Sequence, residues 1–101
     1  MTKVFISQPM AGYGKEEIIA IRKEAMNCLS GLLKGELFFI PSYFTDAELE
    51  SERDAIRLLA KSIDLLADAD VAYFCKGWQE SRGCNIEHDV AEYYGITIIE
   101  G

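Results

Sequence analysis

Positive charge is what this sequence has least of. Against 17 Asp and Glu it sets 10 Lys and Arg, for a net charge of -7. Affinity for a nucleic-acid backbone rests on neutralising phosphates with basic side chains, so a nucleic-acid polymer is not an expected partner. Cysteine and histidine are scarce too. Cys28, Cys75 and Cys84 are odd in number and widely spaced, and His88 is the only histidine, which argues against a disulfide framework and a zinc site. No cofactor or metal is expected. No apolar stretch reaches the about 20 residues of a membrane span, and Met1-Thr-Lys-Val-Phe-Ile6 enters strand-like sequence without a signal-peptide pattern. The expectation is one domain over residues 1–101, in the cytoplasm and without a membrane partner.

What is present is alternation. Val4 to Ser7 is a short apolar run closed by Gln8-Pro9-Met10-Ala11-Gly12-Tyr13-Gly14, whose proline and glycines mark a shaped loop. From about Lys15 the apolar residues Ile18, Ile21, Ala25, Cys28 or Leu29, and Leu32 recur at helical spacing, with Gly35 as a stop. Leu37 to Ile40 reads as a second buried strand, and a long aromatic and acidic segment follows Pro41. A helix from about Glu52 to Asp68 shows the stripe Ile56, Leu59, Ile63 and Leu66. Asp70 to Cys75 is a third strand, about Asn85 to Tyr94 a third helix, and Ile96 to Ile99 a fourth strand after Gly95. Strands alternating with helices predict a small three-layer, flavodoxin- or Rossmann-like parallel α/β sheet of four strands, with room for a fifth and helices on both faces. Cys28 and Cys75 read as small core residues.

In such sheets ligands bind at the carboxyl ends of strands. Glu87 stands there, near the start of the third helix, where the helix dipole favours an ionised carboxylate; glutamate is also common in first turns for that reason alone. Ser81 and Gly83 lie in the preceding loop, where a hydroxyl and backbone N–H groups suit a phosphate or sugar oxygen, although turn chemistry accounts for both equally. Trp78, Tyr43, Phe44 and Tyr13 fall in loops at the same end, where a planar base stacks or hydrophobic cover is needed. Asp64 shares a polar helical face with Arg57, Lys61 and Asp68, the pattern of a solvated, salt-bridged surface. Asp70 is at the opposite end of the sheet. His88, one residue on from Glu87, points about 100° away and reads as surface. Cys84 lies near a helix start, where a thiol pKa can fall, but no base stands at motif spacing. No dinucleotide, Walker or nucleophile-elbow motif is present.

Val4-Phe5-Ile6-Ser7-Gln8-Pro9-Met10-Ala11-Gly12, together with Ala69-Asp70, Gly77-Trp78, Ser81-x-Gly83, Glu87 and Ala91, resembles the nucleoside 2-deoxyribosyltransferase-like superfamily, and most nearly its short DUF4406 branch. The resemblance runs over nearly the whole chain. Its most specific part is Gly-Trp-x-x-Ser-x-Gly-x-x-x-Glu, since similar Ser-x-Gly-x-x-x-Glu blocks occur in 2'-deoxynucleoside 5'-monophosphate N-glycosidases. The resemblance implies that Glu87 attacks the anomeric carbon of a deoxyribose, forming a glycosyl-enzyme that another base or water resolves, as in a retaining glycosidase. It also implies that Ser7, Gln8, Pro9, Met10 and Gly12 cradle sugar or phosphate, with Ser81 and Gly83 opposite and Arg82 or Lys15 available to a 5'-phosphate. A homodimer or larger assembly is expected on the same ground.

This sequence departs from the family pattern twice. Gln8 stands where the loop commonly has Gly, and Ser62 stands where the second helix has an aspartate, with Asp64 two residues further on. Asp64, or Asp46 in the long loop, is then the candidate for protonating the leaving base. The competing expectation is a non-catalytic nucleotide-binding or regulatory module on the same fold, which the missing aspartate favours.

Overall fold

The computed structural model of the chain describes residues 1–42 and 52–101, with Glu52 described in its backbone. The elements run β1 (Thr2–Ser7), α1 (Lys15–Leu32), β2 (Leu37–Phe39), α2 (Glu52–Leu66), β3 (Val71–Phe74), α3 (Arg82–Tyr93) and β4 (Thr97–Glu100), with a 3₁₀ turn at Trp78–Glu80 before α3. All strand pairs are parallel, in the order β2-β1-β3-β4. The chain leaves β1 toward one side of the sheet and returns to its other side with β3. The carboxyl ends of β1 and β3 therefore flank the topological switch point, where this architecture opens a crevice.

Strand pleating distributes the core between two faces. Val4 and Ile6 of β1 pack with Ala25 and Leu29 of α1. Phe5 lies on the other face, with Ala72 and Phe74 of β3, Leu66 of α2 and Ala91 of α3. The result is three layers, α1 below the sheet and α2 with α3 above it. Phe5, Phe74, Leu29 and Leu66 are fully buried, each worth about 1.5–3 kcal/mol by removal of apolar surface from water. The same alternation puts Ser7, two residues after Phe5, on the α3 side at the carboxyl end of β1.

Several expected features differ in detail. The buried stripe of α1 is Ile18, Arg22, Ala25 and Leu29; Cys28 and Leu32 face solvent, so Cys28 is not a core residue. Arg22 enters the protein because its guanidinium finds acceptors there: Nη2 donates to the Ile40 carbonyl at 2.6 Å and Nη1 to Ser42 Oγ at 3.3 Å. On α2 the buried positions are Ser62 and Leu66, while Ile56 is exposed and borders a groove toward Ile86 of α3. The largest shift concerns α3, which begins at Arg82 rather than near Asn85. Ser81 is its N-cap, with Oγ accepting the Cys84 N–H at 3.3 Å, and Gly77 (φ +90°) supplies the left-handed turn that redirects the chain out of β3.

Candidate active site

The earlier start makes Glu87 the sixth residue of α3, beyond the free N–H groups of the first turn. Its setting is burial rather than the helix dipole. Cys84, Glu87 and Ala91 form the inward stripe of α3 at spacings of three and four, so a carboxylate occupies a position that helical periodicity reserves for an apolar residue. Glu87 is 6% exposed. An ionised carboxylate in such surroundings needs hydrogen-bond donors. The one at the end of β1 is Ser7, whose hydroxyl donates to Glu87 Oε1 at 2.6 Å across 80 residues of sequence. Burial pushes the Glu87 carboxyl above its ordinary value, and the hydroxyls of Ser62 and Ser7 pull it partway back. The sequence-based expectation of a carboxylate held ionised by the dipole is therefore corrected: desolvation dominates.

Glu87 lines a cavity of about 220 Å³ at the switch point. Ser7, Gln8, Met10 and Ala11 wall it from β1 and its loop, with Ser42 after β2. Ala55, Leu58, Leu59 and Ser62 come from α2, and Ser81, Gly83 and Cys84 from the start of α3. Of the residues anticipated from sequence, Ser7, Gln8, Met10, Ser81, Gly83 and Glu87 are thus brought together. Pro9 and Gly12 share the β1 loop but are outside the described wall. Tyr43, Phe44 and Asp46 lie outside the described residues.

Asp64 is exposed and is not in the cavity wall; two positions along a helix turn a side chain about 200° from Ser62, which faces the cavity. Trp78 is also outside the wall. Its indole stacks on the His88 imidazole, with centroids 4.1 Å apart and planes 2° from parallel, and packs at 5.7 Å against Phe74. His88 is consequently not a surface residue: its side chain is 12% exposed, and Nε2 lies 2.9 Å from Glu100 Oε2 of β4. The pair Trp78–His88 ties the turn before α3 to the sheet. Arg82 borders the neighbouring groove, and Lys15 is exposed at the start of α1.

Two wall residues were undervalued by pattern alone. Ser62 reads as a polar interruption of α2, yet it faces Glu87. Gln8 donates through Nε2 to the Ile18 carbonyl at 3.0 Å, while its Oε1 is buried without a hydrogen-bond partner among the described residues. Leaving such an acceptor unmade costs about 1–3 kcal/mol. Cys84 is 2% exposed; burial raises its thiol, the hydroxyls of Ser7 and Ser81 lower it, and the Glu87 charge raises it. Burial likewise pushes Cys75 up to about 11. Neither is an activated thiolate at neutral pH. Among the described residues there is no cluster of three His, Cys, Asp or Glu able to hold a metal ion, and no helix is long and apolar enough to cross a membrane.

The fold and site define a parallel α/β domain with a buried glutamate at the switch-point crevice. More particularly, the chain belongs to the DUF4406 family, a domain of unknown function, whose family model matches residues 2–100. No curated protein and no solved structure matches it.

Proposed function

We propose that this protein cleaves or transfers at the N-glycosidic bond of a deoxynucleoside or its 5'-monophosphate, with Glu87 as nucleophile. The observation that carries this reading is the Ser7 Oγ to Glu87 Oε1 hydrogen bond of 2.6 Å at a cavity between the ends of β1 and β3. Burial makes the carboxylate a stronger base and nucleophile than one in water, and the hydroxyls of Ser7 and Ser62 stabilise the ionised form that attacks. A Glu87 oxygen bonds to C1' of the sugar as the C1'–N bond breaks, and the departing base takes a proton from a water molecule. Water or a second base then displaces Glu87 from C1', so configuration is retained over the two steps. The Ser-x-Gly-x-x-x-Glu block, which resembles that of the deoxyribosyltransferase-like N-glycosidases, supports the same assignment.

A non-catalytic nucleotide-binding module is the second reading, and one observation favours it. Glu87 is the only carboxylate in the described cavity wall, with Ser62 where the resembled enzymes carry aspartate. Incubation with deoxynucleosides and their 5'-monophosphates, with and without a second free base, separates the two when base release or exchange is followed chromatographically. Turnover that Glu87→Gln abolishes supports the enzyme; tight binding without turnover supports the module, and turnover surviving the substitution refutes the nucleophile. A cytoplasmic homodimer or larger assembly belongs to the same proposal, since β2 and β4 are the edge strands of the described sheet and an edge is a place where a second copy can pair. A monomer by light scattering at micromolar concentration would count against it.

A further inference from the structure

We propose that Trp78, His88 and Glu100 are positioning residues for Glu87: through His88 they fix the rotation of α3 about its axis, and that rotation brings the Glu87 carboxylate onto Ser7 at the cavity. The inference rests on the reading of Glu87 as the reactive group and adds the device that holds it in place.

The device begins in the register of the sheet. Ser7 of β1 pairs with Phe74 of β3, and Phe74 with Glu100 of β4, so the three form one row across the carboxyl ends of the strands. Strand alternation turns all three toward α3. Ser7 lies two residues after Phe5, Phe74 two after Ala72 and Glu100 two after Ile98, and Phe5, Ala72 and Ile98 pack in the core on that face. Two consecutive residues of α3 meet this row. Glu87 takes the Ser7 hydroxyl at 2.6 Å on the β1 side. His88, turned about 100° from it, meets Phe74 and Glu100 on the β3–β4 side, with ring centroids 4.8 Å apart at Phe74 and Nε2 2.9 Å from Glu100 Oε2. A carboxylate only accepts, so Nε2 carries the hydrogen.

Trp78 closes the grip from outside the row. Its indole lies parallel to the imidazole at 4.1 Å, and its carbonyl accepts the N–H of Ser81, the N-cap of α3, at 3.1 Å. Asn85 secures the same turn, its Nδ2 donating to the carbonyls of Gln79 and Ser81 at 2.8 Å each. The helix needs such a grip because its own core contacts are weakly directional. Its buried residues are Cys84, Glu87 and Ala91, Val90 is half-buried, and the large side chains of Ile86 and Tyr93 are exposed. The ring that α3 inserts is that of His88, whose side chain is 12% exposed. A rotation of about 10° carries a side-chain tip that lies about 5–6 Å from the axis through roughly 1 Å. That movement separates Glu87 from Ser7, and a misplacement of this size costs on the order of 10²-fold in rate.

His88→Ala tests the grip while leaving Ser7, Glu87 and the cavity wall in the sequence. With folding checked by circular dichroism, base release should show kcat lowered by about 10- to 100-fold and KM within about twofold of wild type. A crystal structure of the variant should show the Ser7 Oγ to Glu87 Oε1 distance opened beyond hydrogen-bonding range. Trp78 is the chain's only tryptophan, so its fluorescence should change as the stack is lost. His88→Phe, which keeps a ring between Trp78 and Phe74, should recover part of the lost kcat. Glu100→Ala alters a half-exposed side chain at the end of β4 and should give a smaller loss, again in kcat; it decides the matter by the same two measurements if His88→Ala does not fold. Wild-type kcat in these variants, or a Ser7–Glu87 hydrogen bond that persists in their crystal structures, overturns the positioning role. Absence of base release by the wild type overturns the glycosidic reading instead, and the variant structures still decide whether His88 positions Glu87.

Discussion

The two ends of the β1–β3 pair each carry a carboxylate from the second half of the chain, and the two groups do different work. At the amino end, Asp70 Oδ2 accepts the Lys3 N–H at 2.8 Å while the Asp70 N–H donates to the Lys3 carbonyl at 2.8 Å. That reciprocal clamp is exposed, and it fixes the register in which Val4 faces Val71. At the carboxyl end, Glu87 takes the Ser7 hydroxyl in a buried setting, and its carboxyl is held above the ordinary range. The same functional group is a register device where water solvates it and a carboxyl held above its ordinary range where water is excluded. Solvation, not residue type, makes the difference.

The sharpest way to break this comparison is to remove the charge at one end. Glu87→Gln should lower base release or exchange by on the order of 10³-fold or more, measured chromatographically, while circular dichroism shows the fold retained. Activity near wild type would place the chemistry elsewhere. The second test is pH. Because the folded-state carboxyl lies above its ordinary value near 4.5, the folded protein keeps a proton that the unfolded chain has lost. The stability this group contributes is complete below that ordinary value and is lost as pH rises through the raised one. Urea unfolding at acid and neutral pH should therefore show Glu87→Gln gaining on wild type as pH rises; a pH-independent difference would refute the burial account.

Ser7→Ala sharpens the comparison at smaller cost. It leaves a buried carboxylate short of one donor, so it should lower stability by about 1–3 kcal/mol and move the acid limb of any pH–rate profile to higher pH, which titration of activity would detect. The smallest effect is expected at the opposite end. Asp70→Asn retains an acceptor in an exposed position, so its stability loss should be about 1 kcal/mol or less by denaturant titration, with activity unchanged. An activity loss as large as that of Ser7→Ala would erase the distinction between the two ends.

Legibility in the sequence follows the same physical line. The β-strand runs and the three-and-four spacing on α1 were readable because backbone periodicity is a local property. The place where the candidate residues Ser81, Gly83 and Glu87 gather around a cavity was readable too, as the carboxyl end of β3. The start of α3 is hidden in the sequence because Gly83 weakens the helical signal, although Ser81 in the N-cap position and the stripe of Cys84, Glu87 and Ala91 both mark it. Asp64 looked closer to the chemistry than Ser62, and only the rotation of α2 against α3 separates an exposed face from the cavity wall. His88 reads as surface in the sequence because nothing local shows that Trp78 and Glu100 converge on it.

By itself, then, the sequence determined the alternation of elements, the parallel sheet it builds, and the end of that sheet where a glutamate and a serine–glycine turn would meet, since pattern and turn chemistry act over a few residues. Tertiary structure alone decided that Glu87 is buried, that Ser7 is its donor with Ser62 beside it in the cavity wall, and that the oxygen of Gln8 has no partner among the described residues. Those are properties of dielectric and of contacts between residues as far as 80 positions apart, and they exist only once β1, α2 and α3 have packed.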